Sequence, residues 1–201
     1  NSNNMLGSDL IKGETVVIEY FEPSEVAGQG RLLIGMVVHG YIDINNWYPV
    51  KIGESGTCNK DVVCWDACDW LDEIRSVARI SNGGGLCTGT LINNTSEDGT
   101  PYFLTANHCG PSSMGGGVFK FNYNSTTCSN SNSNATSATN GNTINGSSFK
   151  ASNAASDFGL IELNSTPPAS YEVFYAGWEN GGSSPQIGVC VHHPSGDVKK
   201  L

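Results

Sequence analysis

Tyr102-Phe103-Leu104-Thr105-Ala106-Asn107-His108-Cys109 is the stretch on which the reading of this chain turns. An apolar, strand-like run ends in a turn of small residues that sets one histidine beside one cysteine. The run can bury itself, the turn can leave the imidazole at the mouth of a cleft, and the cysteine can pin the turn from behind. A histidine held in this way suits a general base in acyl transfer. Two further stretches flank it. Upstream, Cys87-Thr88-Gly89-Thr90-Leu91-Ile92 reads as a strand that carries its own cysteine. Downstream, Asp157 stands directly before Phe158-Gly159-Leu160-Ile161-Glu162-Leu163, an alternating apolar strand.

From Cys58 onward the chain is a series of short β-like runs separated by Gly, Asn and Asp. They cover 76–80, 87–92, 102–105, 118–123, 158–163 and 186–193. A short helical turn over 69–77 is the one exception, with Trp70, Ile74 and Val77 on one side. Many short strands with regularly spaced turn signals predict an all-β barrel or sandwich. Residues 125–148 are rich in Ser, Asn, Thr and Gly and read as an exposed loop or a hairpin with a long tip. Before Cys58, the β-branched and aromatic runs 15–21 and 31–41 read as strands of a separate unit, and 51–56 as a linker.

Composition narrows the function classes. The chain has 201 residues, a net charge of −9 and only 10 Lys and Arg, which argues against a nucleic-acid surface. No apolar stretch is long enough for a transmembrane helix. Seven cysteines point to an oxidising compartment. Cys58, Cys64 and Cys68 are spaced by six and four with no histidine nearby, which is not a zinc ligand pattern, so no metal and no cofactor are expected. His192 and His193 are adjacent, would face opposite sides of a strand, and read as a structural strand end. Trp178 reads as a core or inter-barrel aromatic. Asn1 to Gly7 is polar and lacks the features of a secretion signal, so the chain is expected to begin after such a signal or within a longer precursor.

The Leu-Thr-Ala-x-His-Cys string, the Cys-Thr-Gly strand and the Asp157 strand together resemble trypsin-like serine proteases of the chymotrypsin fold. Segments 58–64, 91–95, 124–128, 156–164, 176–178 and 192–194 sharpen this into a resemblance to bacterial lysyl endopeptidases and their secreted relatives, over about 58–201. The resemblance implies a double β-barrel, with 53–165 forming a complete first barrel and 166–201 the start of an incomplete second one. It implies His108 as general base and Asp157 as its buried orienting carboxylate, in the family's His-before-Asp order. It implies disulfides Cys87–Cys109 and Cys64–Cys128, with Cys58 bonded to a cysteine further downstream. The sequence leaves Cys68 and Cys190 open, either paired with each other or not. Residues 1–52 resemble the strand-rich tail of a pro-region, with mature residues starting near Gly53 and Lys51 as a candidate processing site.

The nucleophile should sit in Gly-x-Ser-Gly. None of Ser165, Ser170, Ser183, Ser184 and Ser195 after Asp157 stands in that frame, and too few residues follow Asp157 for six more strands of typical length. The expectation is a secreted, monomeric serine endopeptidase precursor acting on polypeptides, cut short of its serine and inactive as these 201 residues alone. The competing reading is a non-catalytic surface or adhesion module on a protease scaffold.

Overall fold

The computed structural model describes residues 5–9, 11, 13–38, 55–83, 85–128, 141–182 and 186–201. Seven strands follow one short helix, α1 (Leu71–Ser76). They are β1 (Val77–Asn82), β2 (Gly85–Ile92), β3 (Tyr102–Ala106), β4 (Val118–Phe121), β5 (Asn142–Asn145), β6 (Ser147–Asn153) and β7 (Phe158–Leu163). They form one antiparallel sheet in the order β5-β4-β1-β2-β3-β7-β6. The two edge strands are separated in sequence by a single residue, Gly146. The sheet therefore curls until its opposite edges meet at that corner, as a barrel wall does. The architecture is all-β and of the chymotrypsin-like kind.

Alternation decides which side chains fill the interior. Along β7, Gly159, Ile161 and Leu163 are buried, and along β4, Phe119 and Phe121 are buried. Phe119, Phe121, Ile161 and Leu163 join Ala78, Ile80, Leu91, Phe103, Met114 and Ile144 in one core. Phe103 lies at its centre, edge-on to Phe119 at 5.2 Å and to Phe121 at 6.2 Å. Each such side chain contributes about 1.5–3 kcal/mol on burial. Two disulfides lock the wall, Cys87–Cys109 and Cys64–Cys128, the pairs the resemblance implies. Closing sequence separations of 22 and 64 residues contributes about 3 and 4 kcal/mol in the loop-entropy account.

Several expectations change. The runs 15–21 and 31–38 form no strand and lie exposed, Val17 and Phe21 at 88% and 77%. β propensity expresses a fit to a half-buried pleated surface, and among the described residues no strand pairs with either run. Residues 39–41, the linker 51–54 and Lys51 itself lie outside the described residues. The run 186–193 supplies one isolated bridge, His192 to Lys200, rather than a strand. The Ser/Asn-rich stretch, by contrast, ends in β5 and the start of β6; its centre, 129–140, lies outside the described residues. Trp178 is no core residue: it is exposed and donates its indole N–H to the Asn93 carbonyl. Among the described residues no helix is long and apolar enough to cross a membrane.

A second cluster joins the chain's last residues to the segment before β1. Val62, Ala67 and Ile74 pack against Val191 and Leu201, and Lys60 and Leu201 exchange two backbone hydrogen bonds. Beneath them lies a buried ionic group. The Lys200 ammonium sits 2.5 Å from Asp61 and 3.8 Å from Asp197, all three side chains being sealed from solvent. His193 is buried and donates from Nδ1 to the Asp197 carbonyl, while His192 meets Asn59 on the other side. Burial holds the His193 imidazole well below its usual pKa. The Lys199 ammonium donates to the Ile74 carbonyl, and burial pushes its pKa down to about 7.

Lys199 gives the fold a pH signature. An unfolded lysine keeps its proton to about pH 10.4, whereas folded Lys199 releases it near 7. Between those values the unfolded chain binds more protons, so stability rises with pH, by up to about 1.4 kcal/mol per unit. Below 7 both states are protonated and the cost of the buried ammonium is constant. Urea denaturation from pH 6 to 10 is expected to show this rise in the wild type and to lose most of it in Lys199→Met.

Candidate active site

The end of β3 and the start of β7 are paired, Thr105 opposite Gly159 and Ala106 opposite Phe158. Whatever follows β3 therefore meets whatever precedes β7. After β3 comes a 3-10 turn, Asn107–Cys109; before β7 comes the tight turn that ends at Asp157. Three hydrogen bonds clamp the turns together. The Asn107 amide donates to the Asp157 carbonyl at 3.0 Å. The His108 amide donates to Asp157 Oδ1 at 2.9 Å. His108 Nδ1 lies 2.7 Å from Asp157 Oδ2. One carboxylate thus fixes both the backbone and the ring of the histidine, 49 residues earlier in sequence.

Local sequence explains the geometry. Asp157 adopts φ 51°, a left-handed conformation that Asp tolerates better than most residues and that is found preferentially at functional sites. Gly159 is required by close approach: a Cβ there would sit 2.8 Å from the Pro111 ring just beyond the histidine turn. Thr105 donates its hydroxyl to the Thr88 carbonyl and ties the end of β3 to β2. The Cys87–Cys109 disulfide holds the residue after His108 to the same strand. Sequence reading singles out His108, Asp157 and the cysteines but not Gly159, Pro111 or the left-handed backbone at 157, because each matters only once the two turns are opposed.

The His108 amide, and then its ring, hold the Asp157 carboxyl below the usual carboxylate range. It is ionised at neutral pH and acts as acceptor for the Nδ1 proton. One expectation changes here: Asp157 is not a buried carboxylate. Its side chain is 50% exposed, and that of His108 70%, because both stand on turns at the rim of the sheet. His108 also lines a cavity of about 280 Å³ whose walls include Leu86, Cys87, Cys109 and Met114. A larger groove lies between Cys58, Trp70, Cys190 and His192 and contains no comparable pair.

Other candidates are placed elsewhere. Cys87, His108 and Cys109 cluster closely enough to suggest a metal, but the two sulfurs are bonded to each other, which leaves no thiolates to ligate. Cys58, Cys68 and Cys190 are free and exposed. Gly53-Glu54-Ser55-Gly56 spells the nucleophile pattern far upstream of its expected place. Ser55 is buried, however, and gives its hydroxyl hydrogen bond to Asp197 in the ionic cluster, not to His108.

Comparison with known proteins bears on the chain's family. The family model of the lysyl endopeptidase C-terminal domain matches residues 52–201. The lysyl endopeptidase of Pseudomonas aeruginosa is 29% identical over 218 aligned residues, which cover 98% of this chain and 45% of that protein. The chain thus spans about half the length of this curated relative. An antiparallel barrel wall, a clamped His–Asp pair at its rim and a family match over three quarters of the sequence lead to one assignment: the chain belongs to the lysyl endopeptidase family of proteases.

Proposed function

We propose that this chain is the pro-region tail (1–52), the first barrel (53–165) and the opening of the second barrel (166–201) of a secreted serine endopeptidase. The enzyme hydrolyses peptide bonds through a Ser-His-Asp triad and an acyl-enzyme, and it cleaves after lysine. The observation that carries this reading is the Asp157 carboxylate hydrogen-bonded to both the amide and the Nδ1 of His108. With its proton fixed on Nδ1, the ring offers Nε2 as a base. It takes the serine proton as the hydroxyl attacks the scissile carbonyl, then returns it to the departing amine. Asp157 stabilises the imidazolium between these steps. The serine and its oxyanion-binding amides belong, in this reading, to residues following 201. The two disulfides support an extracellular site of action, and the relative's name supports lysine at the cleaved position.

The test is hydrolysis of peptide nitroanilides ending in Lys, Arg or Ala by the protein that carries this chain and its continuation. A Lys preference over Ala of about 10²-fold or more is expected for a pocket that pairs the ammonium. Equal rates would overturn the lysine assignment. No hydrolysis by the processed protein would favour the non-catalytic module.

A further inference from the structure

Among the described residues of the far N-terminus, Asp9 makes polar contacts that the active site does not use. It meets the barrel at Arg79 on β1 and Lys120 on β4, which are directly opposed cross-strand partners. Like charges so placed repel, and both side chains are largely withdrawn from water, 6% and 16% exposed. They flank one aromatic ring: the Arg79 guanidinium carbon lies 4.5 Å and the Lys120 ammonium 5.1 Å from the centre of Tyr123. The pair requires an anion, and Asp9 supplies it. Arg79 Nη2 donates to both Asp9 oxygens, at 3.1 and 3.3 Å, Ser81 lies 3.4 Å from Oδ1, and Lys120 pairs with Oδ2. The Asp9 side chain is itself only 21% exposed.

Shape agrees with charge. Gly7 lies so close to the barrel that a Cβ would fall 2.1 Å from the Gly116 carbonyl oxygen and 3.3 Å from a Val118 methyl. The Met5 methyl covers Gly116. Residues 14–38, which follow, are exposed with the sole exception of half-buried Glu22. Among the described residues before Ser55, the close contacts with the barrel thus gather at Met5–Asp9.

We propose that Arg79, Lys120 and Ser81, over Tyr123, form a carboxylate-binding socket on the barrel, and that its ligand is the chain's own Met5–Asp9 segment. The segment is read as a strap that stays docked in trans once the chain is cut between it and the barrel. That consequence rests on reading 1–52 as a pro-region, but the socket and its preference for an acidic peptide segment do not.

The experiment places a site-specific protease sequence in the exposed stretch around Gly35 of the full chain, cuts it, and follows the N-terminal fragment by gel filtration and by calorimetric titration. The wild-type fragment is expected to co-migrate with the barrel at low salt and to be released at about 0.5 M salt. Asp9→Asn, which keeps the shape, is expected to weaken retention about tenfold or more. Gly7→Val is expected to weaken it comparably through the clash with Gly116, whereas Glu14→Gln leaves it unchanged. Immediate loss of the wild-type fragment, or retention of the Asp9→Asn and Gly7→Val fragments as strong as that of the wild type, would overturn the proposal. Peptidase activity is not read at any step, so failure of the enzymatic reading would leave this result intact.

Discussion

Asp157→Asn is expected to lower kcat of the processed peptidase about 10⁴-fold with KM nearly unchanged. The geometry says why the effect should be so large for so small a change. Asp157 accepts the His108 Nδ1 proton and the His108 amide proton on separate oxygens. Asparagine can keep the amide contact through its carbonyl oxygen, but then turns an NH₂ toward Nδ1. That interaction selects the tautomer with the proton on Nε2, where the base must be unprotonated. The ring stays in place and stops working. The substitution also removes the carboxylate that stabilises the imidazolium. Since half of the Asp157 side chain is exposed and its carbonyl keeps the Asn107 amide bond in either variant, folding should be nearly unaffected; the denaturation midpoint of the variant checks this separately from rate. Loss of less than about tenfold in kcat would show that Asp157 does not orient the base.

The second large effect concerns stability. Asp61→Ala is expected to destabilise the chain by about 3–5 kcal/mol, measured by urea denaturation at pH 7. Asp61 and Lys200 are both fully buried and in contact. Removing the carboxylate leaves an ammonium sealed from water, with Asp197 at 3.8 Å as its nearest remaining counter-charge. The same pair bridges the segment before β1 to the last residues of the chain, so the loss should also loosen 191–201 from 58–64. Replacing both members, Asp61→Leu with Lys200→Met, is expected to recover part of the loss, because the ammonium is no longer stranded and Asp197 keeps its hydrogen bonds from the Val198 amide and Ser55. Equal destabilisation of the single and double variants would instead place the effect in backbone or shape.

Much of the barrel is legible in the amino-acid sequence. Strands β1 to β4 and β7 coincide closely with apolar runs; β7 alternates cleanly between buried and half-buried residues, whereas β1 is buried over Val77–Ile80 on both faces. His108 and Asp157 are legible because the residues around them are those a pinned turn and a following strand require. Other parts are not. β5 and β6 begin in Asn-, Thr- and Ser-rich sequence and are held by neighbours on the sheet, not by their own propensity. Runs 15–21 and 31–38 have strong propensity and no described neighbour, so they remain unpaired. The exposure of Asp157 depends on its place at the rim, and the buried Lys199, Lys200 and Asp61 contradict their residue types. Only the packing of 191–201 onto the segment before β1 puts them inside. The opposition of Arg79 and Lys120 is a matter of strand register, which short patterns do not report.

The proposed triad depends most on His108 acting as the base beside the nucleophile, and a peptidyl-lysine chloromethyl ketone tests this in one step. Its carbonyl is captured by the nucleophile, and its methylene carbon then alkylates the adjacent imidazole nitrogen, with chloride as the leaving group. Mass mapping of the inactivated enzyme is predicted to find one label per chain, on His108. Complete inactivation with the label on any other residue, or continued turnover with His108 alkylated, would contradict the assignment.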